Sequence, residues 1–284
     1  MKGTGSSGFV GILGWPLEHT LSPVIHNVGF RRVGLDWTYL SWPVEPRLLG
    51  DAVRGLRALG ARGANVTMPH KETVIEHLDE LSGDARDVGA VNTIQRVGDR
   101  LVGHNTDVDG FAEFLAGDAG CDARGKRALV LGAGGAARAV VRALDGLGVA
   151  EVCVAARSPE KAGALGELAR RAPVRVEEWA NAAKVAGDAD VVVNATPLGA
   201  AGEHALRGAE LRPEQCIVDL LYVPPSTPLV EAARAAGAQA WGGLGMLVRQ
   251  AAASFTIWTG QAAPLEAMSA AAIHAINAHS RAPG

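Results

Sequence analysis

The chain of 284 residues has five lysines, Lys2, Lys71, Lys126, Lys161 and Lys184, so the setting of each is informative. Lys71 closes Asn65-Val66-Thr67-Met68-Pro69-His70-Lys71, a stretch that reads as a buried strand stopped by Pro69. Ligands in α/β proteins gather at the carboxyl ends of strands, which is where this lysine would stand. A second polar knot, Asn105-Thr106-Asp107, falls where one pattern of the chain gives way to another. An ammonium and a carboxylate meeting at a cleft between domains can relay a proton to the oxygen of a carbonyl being reduced. The residues alone leave a second reading open, because lysines and aspartates after strands are mostly solvated.

A nucleotide site is suggested independently. Gly132-Ala133-Gly134-Gly135-Ala136-Ala137 fits GxGxxG/A directly after an apolar strand and before an alanine-rich helix. The first glycine makes the tight turn, the second admits pyrophosphate to the backbone, and the third small residue lets helix and strand pack closely. The helix start adds unpaired N–H groups and partial positive charge. An ordinary glycine turn is the alternative. At the end of the next strand, where an NAD enzyme usually carries Asp or Glu for the ribose hydroxyls, stands Ala156, followed by Arg157, Ser158 and Lys161. With no carboxylate to repel a 2′-phosphate and two cations to bind it, the pattern favours NADP. A solvated surface pair is the competing reading of Arg157 and Lys161.

Other chemistries are excluded or unsupported. Neither Tyr39 nor Tyr222 has a lysine four positions later, so a YxxxK proton donor is absent. No HExxH occurs and the eight histidines show no ligand spacing, so no metal is expected. His19 and His26 flank a loop and a helix start, where structural or hydrogen-bonding roles fit best. Cys121, Cys153 and Cys216 are odd in number and form no CxxC, which fits a reducing cytosol.

The elements that must position these groups alternate short β-rich runs with Ala/Leu/Arg-rich helical stretches, an α/β pattern with mainly parallel sheets. Strands are expected at Phe9–Leu13, Trp37–Trp42, Ala64–Thr67, Arg127–Leu131, Glu151–Ala156, Val191–Asn194 and Ile217–Leu221. A hairpin of Val91–Arg96 and Arg100–Gly103 is joined by Gly98-Asp99. Ser22 as N-cap and Pro23 as first helical residue open one helix, and Asp51–Leu59 forms another. From Gly245 onward Met246, Leu247, Ala251, Phe255 and Trp258 lie close to one helical face. Three segments result: 1–107, a nucleotide-binding 108–243, and a helical 244–284. A formal net charge of −3 argues against nucleic-acid or anionic-membrane partners. With no signal-like N-terminus and no long apolar span, a cytoplasmic protein is expected.

The segment Gly14-Trp15-Pro16-Leu17-Glu18-His19-Thr20-Leu21-Ser22-Pro23-Val24-Ile25-His26-Asn27 resembles the substrate-carboxylate motif of the shikimate dehydrogenase family. Asn65–Lys71, Gly89-Ala90-Val91-Asn92-Thr93 and Asn105-Thr106-Asp107 with Gly110-Phe111 continue the resemblance. So do the glycine turn, Asn194-Ala195-Thr196-Pro197-Leu198-Gly199, Asp219–Tyr222 with Pro224 and Thr227, and Gly245-Met246-Leu247 through Gln250-Ala251. These motifs follow the family order over nearly the whole chain.

The resemblance implies an N-terminal α/β substrate domain, a Rossmann-type NADP domain, and C-terminal helices folding back on the substrate domain. It implies NADPH-dependent reduction of 3-dehydroshikimate to shikimate on the way to aromatic amino acids. Lys71 and Asp107 would be the catalytic pair. Thr20 and Ser22 would bind the substrate carboxylate, and Thr67, Asn92, Tyr222 and Gln250 the ring hydroxyls. The glycine turn, Arg157, Ser158, Lys161, Thr196, Leu220, Gly243 and Met246 would line the cofactor. A monomer or homodimer is expected. Two departures stand out: Thr20 replaces the usual serine, and Ala156 the usual asparagine. The first leaves quinate or aminoshikimate as alternative substrates, and a shikimate-binding regulator without turnover is a further alternative.

Overall fold

The computed structural model describes residues 7–17 and 20–279, so the expectation for His19 lies outside the described residues. Two compact units form. One holds the described residues up to Thr106 and from Val248 onward, the other Asp107–Leu247.

The first unit runs through β1 (Gly8–Gly14), α1 (Ser22–Arg32), β2 (Trp37–Pro43), α2 (Leu49–Ala58), β3 (Gly63–Val66), β4 (Glu80–Leu81), α3 (Gly83–Val88), β5 (Thr93–Val97) and β6 (Arg100–His104). Its strands form one sheet in the order β2-β1-β3-β5-β6-β4. The pairings of β1 with β2 and β3, and of β4 with β6, are parallel, whereas β3–β5 and β5–β6 are antiparallel. The sheet is therefore mixed, and its antiparallel part includes the expected hairpin of β5 and β6, turned at Gly98 with φ 63°.

Ser22 is not the N-cap of α1. Leu21 holds that position without a side-chain bond, and Ser22 lies inside the helix at 3% exposure. The local side-chain bond falls one step upstream, where the Thr20 hydroxyl accepts from the Ser22 N–H at 3.3 Å. Asn27 of α1 locks the helix to β2 by accepting from the Tyr39 N–H (2.8 Å) and donating to the Tyr39 carbonyl (3.1 Å).

The second unit contains α4 (Asp107–Glu113), β7 (Arg127–Leu131), α5 (Gly135–Leu147), β8 (Glu151–Ala156), α6 (Pro159–Gly163), β9 (Val174–Glu178), α7 (Ala182–Asp188), β10 (Val191–Asn194), β11 (Cys216–Asp219), α8 (Pro228–Ala235) and β12 (Gln239–Trp241). All pairings are parallel, in the order β12-β11-β10-β7-β8-β9. Counted from β7, this is the dinucleotide-fold order, with its switch point between β7 and β10. Leu129, Leu131, Val192, Ile217, Leu229 and Val230 form its core on one face.

The boundary between the units falls within α9 (Leu244–Thr259), at Val248, four residues beyond the expected start of the tail. In the first unit the later part of α9 lies against the hairpin: Trp258 donates through its indole N–H to the Ile94 carbonyl at 2.8 Å. Gly63 makes room for that indole, since a Cβ there would stand 2.2 Å from the Ile94 oxygen and 2.4 Å from Trp258 Nε1. The last helix, α10 (Leu265–His279), packs on α1. Gly29 is the point of close approach, facing Phe255 and Met268.

Candidate active site

Lys71 stands on the loop that leaves β3. That loop is tied down by backbone bonds, Thr67 N–H to the Leu13 carbonyl (2.9 Å), Trp15 N–H to the Met68 carbonyl (3.0 Å) and Val91 N–H to the Lys71 carbonyl (2.7 Å). Inside it His70, 1% exposed, holds the Val44 carbonyl through Nε2 at 2.7 Å. Gly14 lets the loop close over β1, because a Cβ there would meet the Thr67 methyl at 2.4 Å. The Lys71 backbone is thus fixed while its side chain stays half-buried.

Next to this loop, β5 begins just after Asn92, 2% exposed. Its side-chain oxygen accepts from the Thr106 backbone N–H at 2.8 Å, and its Nδ2 donates to the Thr106 hydroxyl (2.9 Å) and to Gln250 Oε1 (3.4 Å). The structure therefore brings Asn92 and Gln250 together, and Thr20 and Ser22 likewise, all within the first unit. Asn65, Thr93 and Ser254 join the same buried knot of polar groups and were not singled out from sequence. The one signal for Ser254 was its helical spacing, one turn after Gln250. Asp107, 4% exposed, opens α4 in the second unit, and Tyr222 follows β11 there, half-buried.

The second unit carries the nucleotide turn. Gly132 has φ 103°, its N–H bonds the Ala155 carbonyl at 2.9 Å, and a Cβ would lie 3.0 Å from the Thr196 methyl. Glycine is required there on both counts. Gly132 and Thr196 follow β7 and β10, so their contact marks the switch point itself. Gly134 is exposed, with open space where a Cβ would project, and N-caps the 13-residue α5 that starts at Gly135 and Ala136. Ala133 lies between these glycines, half-buried, and Ala137 is fully buried as the close-packed small residue. This backbone cradle fits a pyrophosphate.

At the end of β8, Ala156 is buried and the next residue, Arg157, exposed; Ser158 N-caps α6 by accepting from the Lys161 N–H at 3.4 Å. The Thr196 loop is fixed by Asn194, whose Oδ1 accepts from the Thr196 hydroxyl (2.7 Å) and backbone N–H (3.1 Å). Asn194 Nδ2 donates to Asp219 at 3.0 Å, and Asp219 also accepts from Thr227 (2.7 Å) and from the Leu221 N–H (3.1 Å). Burial raises the Asp219 carboxyl above its ordinary value, against the pull of those donors. Leu220 leaves β11 with its N–H on the Asn194 carbonyl at 2.9 Å. Gly243 passes so close to it that a Cβ would stand 2.0 Å from the Leu220 oxygen, and Met246 follows, buried, on α9. Among the described residues no cluster of three His, Cys, Asp or Glu side chains could hold a metal ion.

A parallel sheet in dinucleotide order with a glycine cradle at its switch point, joined in one chain to a unit of convergent polar groups, defines an α/β oxidoreductase of two units. Comparison with known proteins narrows the class. The model of the shikimate dehydrogenase substrate binding domain matches residues 12–94, that of shikimate/quinate 5-dehydrogenase residues 115–216, and that of the shikimate 5′-dehydrogenase C-terminal domain residues 243–273. The shikimate dehydrogenase (NADP(+)) of Moorella thermoacetica is 44% identical over 98% of this chain and 97% of its own. A crystal structure of a shikimate dehydrogenase in complex with NADP+ superposes with a TM-score of 0.87 at 36% identity, covering 95% of this chain and 96% of the other. The Thermus thermophilus enzyme in complex with NADP(H) and shikimate gives a TM-score of 0.82 at 36% identity, covering 94% and 99%. The chain belongs to the shikimate dehydrogenase family.

Proposed function

We propose that this chain catalyses the reversible NADP-dependent reduction of 3-dehydroshikimate to shikimate, a step of aromatic amino acid biosynthesis. One observation carries the reading: relatives matched over nearly the full length are NADP-dependent shikimate dehydrogenases, and this chain keeps a fixed lysine loop, Thr67–Lys71, inside the matched substrate-binding region. The Gly132–Gly135 cradle would hold the pyrophosphate of NADP, and Arg157 with Lys161 its 2′-phosphate. Thr196, Leu220, Gly243 and Met246 would border the rest of the cofactor. Ala156 offers no carboxylate against the added phosphate.

When bound, NADPH would supply the hydride for the carbonyl carbon. The Lys71 ammonium gives its proton to the carbonyl oxygen, which becomes the hydroxyl, and takes it back in the reverse direction. Asp107 is the second member of the proposed catalytic pair and would hold a substrate hydroxyl. Thr20 and Ser22 bind the carboxylate, while Thr67, Asn92, Tyr222 and Gln250 receive the ring hydroxyls. The protein works on a small molecule in the cytoplasm, as a monomer or homodimer, without nucleic-acid or membrane partners. The net charge of −3 supports the lack of nucleic-acid and anionic-membrane partners, and among the described residues no helix is long and apolar enough to cross a membrane.

The test is a steady-state panel of shikimate, quinate and aminoshikimate. Shikimate is expected to lead in kcat/KM by ~10-fold or more, about 1.4 kcal/mol of transition-state stabilisation. A lead for either analogue would overturn the substrate assignment.

A further inference from the structure

Behind Asn92 and Gln250, Ser254 of α9 is fully buried and forms the centre of a hydroxyl–amide knot. Its Oγ lies 2.7 Å from Thr93 Oγ1, 3.2 Å from Thr106 Oγ1, 3.1 Å from Asn65 Nδ2 and 3.0 Å from the Gln250 carbonyl oxygen. The roles at Asn65 follow from the donor inventory. The Tyr39 hydroxyl donates to Asn65 Oδ1 at 2.8 Å, which turns the Asn65 NH2 toward Ser254 and Thr93.

The same logic fixes Asn92. A backbone N–H can only donate, so the Thr106 N–H marks Asn92 Oδ1 as the accepting end. The Thr93 and Thr106 hydroxyls, 3.1 and 3.2 Å from that oxygen, crowd onto the same end, and both touch Ser254. Asn92 Nδ2 is left pointing at Thr106 Oγ1 and Gln250 Oε1.

Helix stability does not call for this hydroxyl. Alanine has the higher helical propensity, and a serine bonded to its own i−4 carbonyl slightly weakens a helix. A buried hydroxyl is also costly unless it is paired. What serine adds is direction, a satisfied polar network that holds two amides in one orientation.

We propose that Ser254 is a positioning residue that, through Thr93, Thr106 and the Gln250 backbone, fixes the Asn92 and Gln250 amides for oxygen substituents of the substrate. The proposal rests on the shikimate reading of the site. Its test is a double-mutant cycle of Ser254→Ala and Asn92→Ala, with shikimate affinity measured by calorimetry alongside steady-state kinetics. Ser254→Ala should weaken shikimate binding and raise its KM ~10-fold, with kcat within about 3-fold and KM for NADP+ unchanged. In the Asn92→Ala background the same change should add less than about 2-fold. Should Ser254→Ala fail to fold, Ser254→Cys replaces it in the cycle. Unchanged shikimate affinity, or an equal loss in both backgrounds, overturns the proposal. Wild-type protein that binds shikimate without turnover defeats the reading of function and leaves the affinity cycle to decide on Ser254; wild-type protein that does not bind defeats both.

Discussion

At the scale of single residues the account turns on what each side chain can donate or accept. Lys71→Ala should lower kcat by ~10²-fold or more with little change in KM for shikimate, because a proton donor acts in the transition state. A variant retaining full kcat would remove Lys71 from the reaction. Arg157→Ala should raise KM for NADPH by roughly 10-fold and leave KM for NADH nearly unchanged, since only the former carries the 2′-phosphate. Equal effects on both would take Arg157 away from that phosphate. His26 behaves differently. It is fully buried, stacked 4.5 Å from Tyr39 and beside Trp258, and among the described residues its ring nitrogens have no hydrogen-bond partner. Burial pushes its pKa down from 6.5 to about 3. Between these values the unfolded chain binds the proton and the folded one does not. Stability should therefore fall as pH drops below 6.5, by up to about 1.4 kcal/mol per pH unit. Melting temperatures at about pH 7 and about pH 5 check this. His26→Phe should show a smaller difference between the two, and an equal difference would exclude His26 as the cause.

At the scale of elements, close approach governs. Gly243→Ala places a methyl 2.0 Å from the Leu220 carbonyl oxygen and should cost about 1–3 kcal/mol, read as a lower denaturant midpoint. An unchanged midpoint would show that the two segments part easily. The strands that sequence located to the residue, β7, β8 and β10, are those in the middle of the second sheet. Burial on both faces turns them into apolar runs with polar ends. The strands it missed have no such signature. β4 has two residues, β12 three, and β9 is an edge strand with every residue half-buried or exposed. Ser22 looked like an N-cap because serine before proline is the usual sign of one, whereas burial drew it into the first turn of α1.

At the scale of the molecule, the motif order put residues forward for a site, but did not show what holds them. Lys71, Thr67 and Asn92 stood out as candidates because each sits in a short motif next to a strand. The Asn65–Ser254 bond joins positions 189 apart, so only tertiary packing of α9 against β3 creates it. No local periodicity could announce it. The chain returns through α9 and α10 to the unit in which it began, and this return supplies Gln250 and Ser254 to the groups around Asn92. The measurement that tests the account most directly is the initial rate of shikimate oxidation by the purified protein, with NADP+ and NAD+ in parallel. Shikimate-dependent reduction of NADP+ is expected, with kcat/KM at least ~10-fold above that for NAD+. Absence of a shikimate-dependent rate, or a preference for NAD+, would contradict it.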